Sequence, residues 1–112
     1  MEQLTFKSYQ SLARETARYP NLGANLAYPV LGLCGESGEV AEKVKKIFRD
    51  NDGWADESRT AELKKELGDV LWYIAALCWE LDIEMSEVAQ MNINKLRGRS
   101  ERGKIQGSGD NR

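Results

Sequence analysis

Glu36-Ser37-Gly38-Glu39-Val40 is followed thirty residues later by Glu66-Leu67-Gly68-Asp69-Val70, and this pair of stretches decides the fold. The surrounding apolar positions keep the same offset: Leu33 with Leu63, Val44 with Ile74, Ile47 with Leu77. Self-similarity at a fixed offset marks a repeated structural unit. The period is helical, so the unit is an amphipathic helix. Two helices of one design, packed antiparallel, bring equivalent faces together about a local pseudo-twofold axis.

The first of these helices is expected over residues 25–49. Pro29 is tolerated in its first turn, and Asp50-Asn51-Asp52-Gly53 is a stop signal. The second is expected over residues 58–81, with Ser58 as N-cap and Leu63, Leu67, Val70, Ile74, Leu77 and Leu81 on one face. Residues 5–18 place Phe6, Tyr9, Leu12 or Ala13, and Ala17 at helical spacing before Tyr19-Pro20-Asn21. Residues 86–97 carry Val88, Met91 and Leu96. Strand signals are weak, and Pro20 and Pro29 are the only prolines. The expectation is an all-α, four-helix bundle-like domain over residues 1–100, with a Gly-rich, charged tail over 101–112 that is mobile or ordered by ligand.

A chain of 112 residues is one domain. Lys+Arg 16 against Asp+Glu 18 leaves a net charge of −2, which argues against a nucleic-acid polymer or a membrane surface as partner. Small molecules or other chains are expected instead. The absence of histidine excludes Ser-His-Asp triads, HExxH zinc sites and any histidine base, so acid-base and metal chemistry falls to carboxylates. Cys34 and Cys78 lie in apolar stretches and do not read as a disulfide framework. The opening Met1-Glu2-Gln3-Leu4 has neither the basic nor the apolar region of a secretory signal. The longest apolar run, Val70 to Trp79, is about half of what a membrane-spanning helix needs. A soluble, cytoplasmic protein is expected.

At 100° per residue, Glu36 and Glu39 project within about 60° of each other, as do Glu66 and Asp69. Both pairs border the apolar stripes, so the four carboxylates converge at the rim of the helix contact. Desolvated anions brought together recruit cations or bind protons. An all-oxygen site suits Mg²⁺ or Mn²⁺ better than zinc or iron, and a di-iron bundle is disfavoured because its Glu-x-x-His ligands are lacking. Ordinary surface acids are the alternative, but the paired register across two helices favours a cation site. Glu42 rotates toward solvent, where Lys43, Lys45 and Lys46 neutralise it. Gly32, Gly35 and Gly38 each cost a helix up to about 1 kcal/mol relative to Ala, offset by close approach of a ligand or backbone, or by tight packing.

The order Glu36-x-x-Glu39, then Glu66-x-x-Asp69, resembles the ExxE…ExxD signature of the MazG-like, all-α nucleoside triphosphate pyrophosphohydrolases, a family that includes dimeric dUTPases and dCTP pyrophosphatases. The likeness extends to Asn25-Leu26-Ala27-Tyr28-Pro29, to Gly32-Leu33-Cys34-Gly35-Glu36, to Glu66 through Tyr73, and to the ending Gly107-Ser108-Gly109-Asp110-Asn111-Arg112, as in the small single-domain branch. The resemblance implies that Glu36, Glu39, Glu66 and Asp69 hold Mg²⁺ or Mn²⁺, and that metal-activated water attacks the α-phosphate of a (d)NTP. The products are a nucleoside monophosphate and pyrophosphate, with deoxynucleotides in pool control the expected setting. Some relatives carry Glu immediately before the first ligand, where this chain has Gly35. Glu36, Glu39 or metal-bound hydroxide alone then stands as the base.

Tyr73, one turn after Asp69, is a candidate for a phosphate or sugar contact. Asn94 and Lys95 resemble the family's late Asn and basic positions, and Arg99 adds positive charge that a triphosphate requires. Trp72, Ala75, Ala76 and Trp79 form a second apolar face, whose cover is expected from another subunit of a homodimer or homotetramer. Trp72 or Trp79 stacking on a base is the alternative, and Trp54 is free for a base or lid contact. The competing functions are a non-enzymatic helical oligomer with a structural metal or partner-binding cluster, and phosphoribosyl-ATP pyrophosphohydrolase.

Overall fold

Thr5 starts the first helix through a reciprocal cap. Its hydroxyl accepts the Ser8 amide at 3.1 Å while Ser8 Oγ accepts the Thr5 amide at 2.9 Å, so two orphan donors are satisfied. The structure, a computed structural model, describes residues 3–112. Among these residues it is all-helical: α1 spans Phe6–Glu15, α2 Ala27–Asn51, α3 Glu57–Glu80 and α4 Met85–Glu101. Met1 and Glu2, which open the segment read above for a signal, lie outside the described residues. No helix among the described residues is long and apolar enough to cross a membrane.

Local chemistry shifts several boundaries from their expected positions. The first helix stops at Glu15 rather than Arg18, where the Thr16 hydroxyl turns back to the Ala13 carbonyl at 2.7 Å. Asn25 Oδ1 accepts the Tyr28 amide at 3.0 Å, which closes the first turn of α2 around buried Pro29. The N-cap of α3 is Asp56, not Ser58: its carboxylate accepts the Arg59 amide at 3.0 Å and pairs with the Arg59 guanidinium at 2.7 Å. An anion at that end also meets the positive pole of the helix. Gly98 does not end α4, which continues to Glu101 beneath the Arg102 guanidinium.

Antiparallel α2 and α3 are joined by residues 52–56, with Asp52 and Gly53 in left-handed conformation at φ 52° and 79°. Among the described residues, α3 touches all three other helices, whereas the only helix that α2 packs on is α3. The arrangement is therefore an open one. Ala13 of α1 packs with Ala75, Cys78 and Met85, flanked by Tyr9, Trp72, Ile74 and Trp79. Ala17 and Tyr19 pack with Ala76 beside Leu22. This corrects the expectation of subunit cover for the second apolar face of α3, because α1 and the α1–α2 loop of the same chain cover it. The small alanines make that possible by letting α1 come close. Trp72 and Trp79 then donate their indole N–H groups to Thr16 Oγ1 and Tyr19 Oη, at 2.8 and 3.1 Å. Trp54 is exposed, and Cys34 and Cys78 are both free.

Glu80 ties the α1–α2 loop to the end of α3. One oxygen accepts the Tyr19 hydroxyl at 2.5 Å and the Gly23 amide at 2.8 Å, and the other accepts the Asn25 amide at 2.9 Å. Desolvation alone would raise the Glu80 pKa, but these hydrogen bonds hold it below the usual carboxylate range. Tyr19, partly desolvated and donating to that carboxylate, is pushed up to about 12.

The tail folds back on α4. Arg112 donates to the carbonyls of Lys104, Gly109 and Ile105 at 2.9, 2.6 and 2.7 Å. Asp110 meets Lys95 at 3.1 Å and Arg99 at 3.2 Å.

Of the three glycines in α2, packing explains Gly32 alone: a Cβ there would fall inside the Tyr73 ring, whereas Gly35 and Gly38 face open space. Gly32→Ala is expected to destabilise the chain by about 1–3 kcal/mol through overpacking, measured by urea unfolding. An unchanged midpoint would contradict the close contact.

Candidate metal centre

The hairpin geometry brings the two acidic pairs to one level. From Glu39 the chain descends α2 for about 18 Å to Asn51, turns, and climbs α3 for about 14 Å from Glu57 to Glu66. Glu36 and Asp69, each three residues from its partner acid, then face one another across the helix contact. Carboxylate oxygens of Glu36, Glu66 and Asp69 all lie within 4.8 Å of one another. Glu36 and Glu66 are half-buried and Asp69 is exposed.

The electrostatic consequence falls on Glu36. Desolvation, then the charge of Asp69, then contact with Glu66 and the charges of Glu66 and Glu39 raise its pKa above the usual carboxylate range. Glu39 is exposed and outside the tight group, yet near enough for its charge to act on Glu36. Hard oxygen donors that repel one another at this spacing fit a divalent cation of the Mg²⁺ or Mn²⁺ type.

Tyr73 stands beside the cluster, one turn above Asp69. With Thr16, Glu36, Asp69 and Trp72 it lines a cavity of about 340 Å³. Desolvation, neighbouring Tyr28, and the charges of Glu36 and Asp69 raise the Tyr73 pKa, so the phenol keeps its proton. The ring sits between Tyr28, at 6.3 Å between centroids, and Trp72, at 5.0 Å.

The remaining expected substrate contacts are placed elsewhere within one chain. Asn94 accepts from Gln90 at 2.9 Å, and Lys95 pairs with Asp110. Arg99 is buried under the tail, with Nη2 donating to Asp110 and Gly109. Their helix does not touch α2, and none of the three lines the cavity at the carboxylates.

Two neighbours of the cluster escaped the sequence reading. Thr16 lines the cavity from the end of α1, and no local signal marks it. Sequence position groups Lys43 with Glu42, but Glu42 is paired by Lys45 at 3.0 Å and Lys46 at 3.9 Å. Lys43 Nζ instead reaches across to Glu66 at 3.8 Å and Glu62 at 3.9 Å. The signal was available: Lys43 lies seven residues, two helical turns, after Glu36 on the same face.

The chain is 51% identical over 109 residues to the "Gene 37 protein" of Mycobacterium phage L5, an alignment that covers 93% of this chain and 96% of the relative. No solved structure matches. Residues 27–103, which hold α2, α3, α4 and all four acids, match the MazG nucleotide pyrophosphohydrolase domain. With that match across most of its length, the chain belongs to the MazG nucleotide pyrophosphohydrolase family.

Proposed function

We propose that the chain is a metal-dependent hydrolase of nucleoside triphosphates that releases pyrophosphate, with deoxynucleotides as its substrates. The convergence of Glu36, Glu66 and Asp69 beside the Tyr73 cavity carries this reading, supported by family membership. Glu36, Glu66 and Asp69 would hold Mg²⁺ or Mn²⁺, with Glu39 completing the set. When bound, the ion supplies Lewis acidity: it acidifies water and offsets charge on the phosphoryl oxygens. Glu39, exposed, would accept a proton from the attacking water, with Glu36 the alternative. Water oxygen bonds to the α-phosphorus, the bond to the bridging oxygen breaks, and pyrophosphate leaves. Tyr73, its proton retained, donates to a phosphate or sugar oxygen. Asn94, Lys95 and Arg99 would reach the same triphosphate only from a second copy of the chain.

A second copy is also what the surface asks for, and we read the functional unit as a homodimer or homotetramer. The accessible surface is 8288 Å², against about 6,200 Å² for a compact monomer of this mass. The radius of gyration is 16.9 Å, against about 13 Å expected. Leu31 and Phe48 are 71% and 68% exposed on α2, with Leu67 and Leu71 uncovered on α3. The excess, about 2,000 Å² per chain by the same scaling, falls in the range that obligate assemblies bury rather than that of a standard-size contact.

Pyrophosphate and monophosphate release from a panel of deoxy- and ribonucleoside triphosphates, with Mg²⁺ or Mn²⁺, tests the chemistry. Glu39→Gln and Asp69→Asn are expected to abolish turnover while remaining folded. Full activity in either variant would remove that residue from the site. Silence across the panel would favour phosphoribosyl-ATP or a structural metal cluster.

Metal removal and pH give an independent check. Because the folded-state pKa of Glu36 is raised, its contribution to stability is fully present below its ordinary value of 4.5 and is lost as pH rises through the folded value. At pH 7 without divalent metal, Glu36→Gln is therefore expected to melt above wild type, with the gap closing toward pH 4.5. Millimolar Mn²⁺ should raise the wild-type melting temperature more than that of the variant. Equal melts under all conditions would contradict the electrostatic account.

Light scattering is expected to give two or four times the 12.6 kDa chain mass, with Phe48→Glu shifting the population toward monomer. A monomeric wild type would overturn the assembly reading.

A further inference from the structure

The groove between α2 and α3 does not end at the carboxylates. Along α2 the order is Glu36, Glu39, Lys43, Lys46, and along antiparallel α3 it is Asp69, Glu66, Glu62, Arg59. On one side of the acids lies the Tyr73 and Trp72 cavity. On the other lies a second cavity of about 240 Å³, lined by Lys43, Lys46, Ile47, Asp50, Arg59 and Glu62.

The acids of this second cavity have cations of their own. Asp50 is held by Arg49 at 2.7 Å, and Glu62 receives Lys65 at 3.4 Å. Arg59 is shared with Asp56 at 2.7 Å. Lys46 touches Glu42 only at 3.9 Å, an exposed pair of little strength. Lys43 sits 3.8 Å from Glu66 and 3.9 Å from Glu62, too far for a hydrogen bond to either. Its ammonium is thus a loosely held counter-ion to a residue of the carboxylate cluster.

Building on the hydrolase reading, we propose that Lys43, supported by Lys46 and Arg59, receives the β- and γ-phosphates of the substrate, and that until a divalent cation takes Glu66, Lys43 serves as its counter-ion. Along the helix Lys43 lies about 6 Å and Lys46 about 10 Å beyond Glu39, a span that long lysine side chains close onto the outer phosphates. Once Glu66 is engaged by a cation, its attraction for Lys43 falls and the ammonium turns to the incoming anion. The groove then fixes the direction of the substrate. The nucleoside lies toward Tyr73, the α-phosphate at the carboxylates, and the leaving pyrophosphate at Lys43.

The assignment predicts effects of opposite sign from one substitution. Lys43→Gln removes a competitor for Glu66 and a phosphate ligand together, so Mn²⁺ should bind the full-length variant several-fold more tightly. Inorganic pyrophosphate, titrated calorimetrically at saturating Mg²⁺, should bind about tenfold more weakly. In turnover, KM should rise about tenfold and kcat should fall with it, because the leaving pyrophosphate gains charge in the transition state. Lys43→Arg should recover pyrophosphate binding, and Lys46→Gln should weaken it without altering Mn²⁺ affinity. Unchanged or weaker Mn²⁺ binding in Lys43→Gln, or unchanged pyrophosphate affinity, would overturn the proposal. If wild type turned over no triphosphate, the hydrolase reading would fall, and the two titrations would still uphold or overturn the role of Lys43.

Discussion

Mutual repulsion among Glu36, Glu66 and Asp69 is the constraint on which the rest of the structure depends. Three carboxylates with oxygens inside 4.8 Å oppose folding unless something holds the helices that carry them. The hairpin of α2 and α3 does so: the short turn through Asp52 and Gly53 sets the register, and buried Ile47 anchors α2 on α3. Lys43 offsets part of the charge from within the chain. Desolvation first, and then the charges of Asp69, Glu66 and Glu39, still raise the pKa of Glu36. A site with unrelieved negative charge on a rigid frame is prepared for a cation, because the cation removes a cost already present.

The opposite end of the frame uses a carboxylate in the reverse manner. Glu80 is surrounded by donors from Tyr19, Gly23 and Asn25, and it stays ionised and structural. By fixing Asn25 it fixes the start of α2, and with it the level at which Glu36 stands. Aromatic packing continues the link: Tyr19 stacks on Tyr28 at 4.6 Å between centroids, and Tyr28 adjoins Tyr73 at the site. Two carboxylate environments, one satisfied by donors and one crowded by anions, thereby divide scaffold from chemistry.

The helices and the acidic pairs were legible because both depend on spacing along one chain. Four helices, the antiparallel hairpin and the facing of Glu36 with Glu66 and Asp69 all follow from periodicity and the thirty-residue repeat. The rest depends on contacts that apolar spacing along one helix does not set. The cover of Trp72 and Trp79 by α1 could not be read from α3 alone. Ser58 yielded to Asp56 as cap because Asp56 also pairs with Arg59. Composition marks the tail as mobile or ordered by ligand and is silent on the three carbonyls that Arg112 bonds. Glu39, equivalent to the other acids in spacing, lies outside the tight group, since side-chain direction is not set by helical register alone.

Crystallographic localisation of Mn²⁺ by anomalous scattering, on crystals soaked at saturating metal, tests the central claim most directly. The account predicts a peak among the carboxylates of Glu36, Glu66 and Asp69. An absence of density there, or a peak only at other acids such as Asp50 or Asp110, would contradict it.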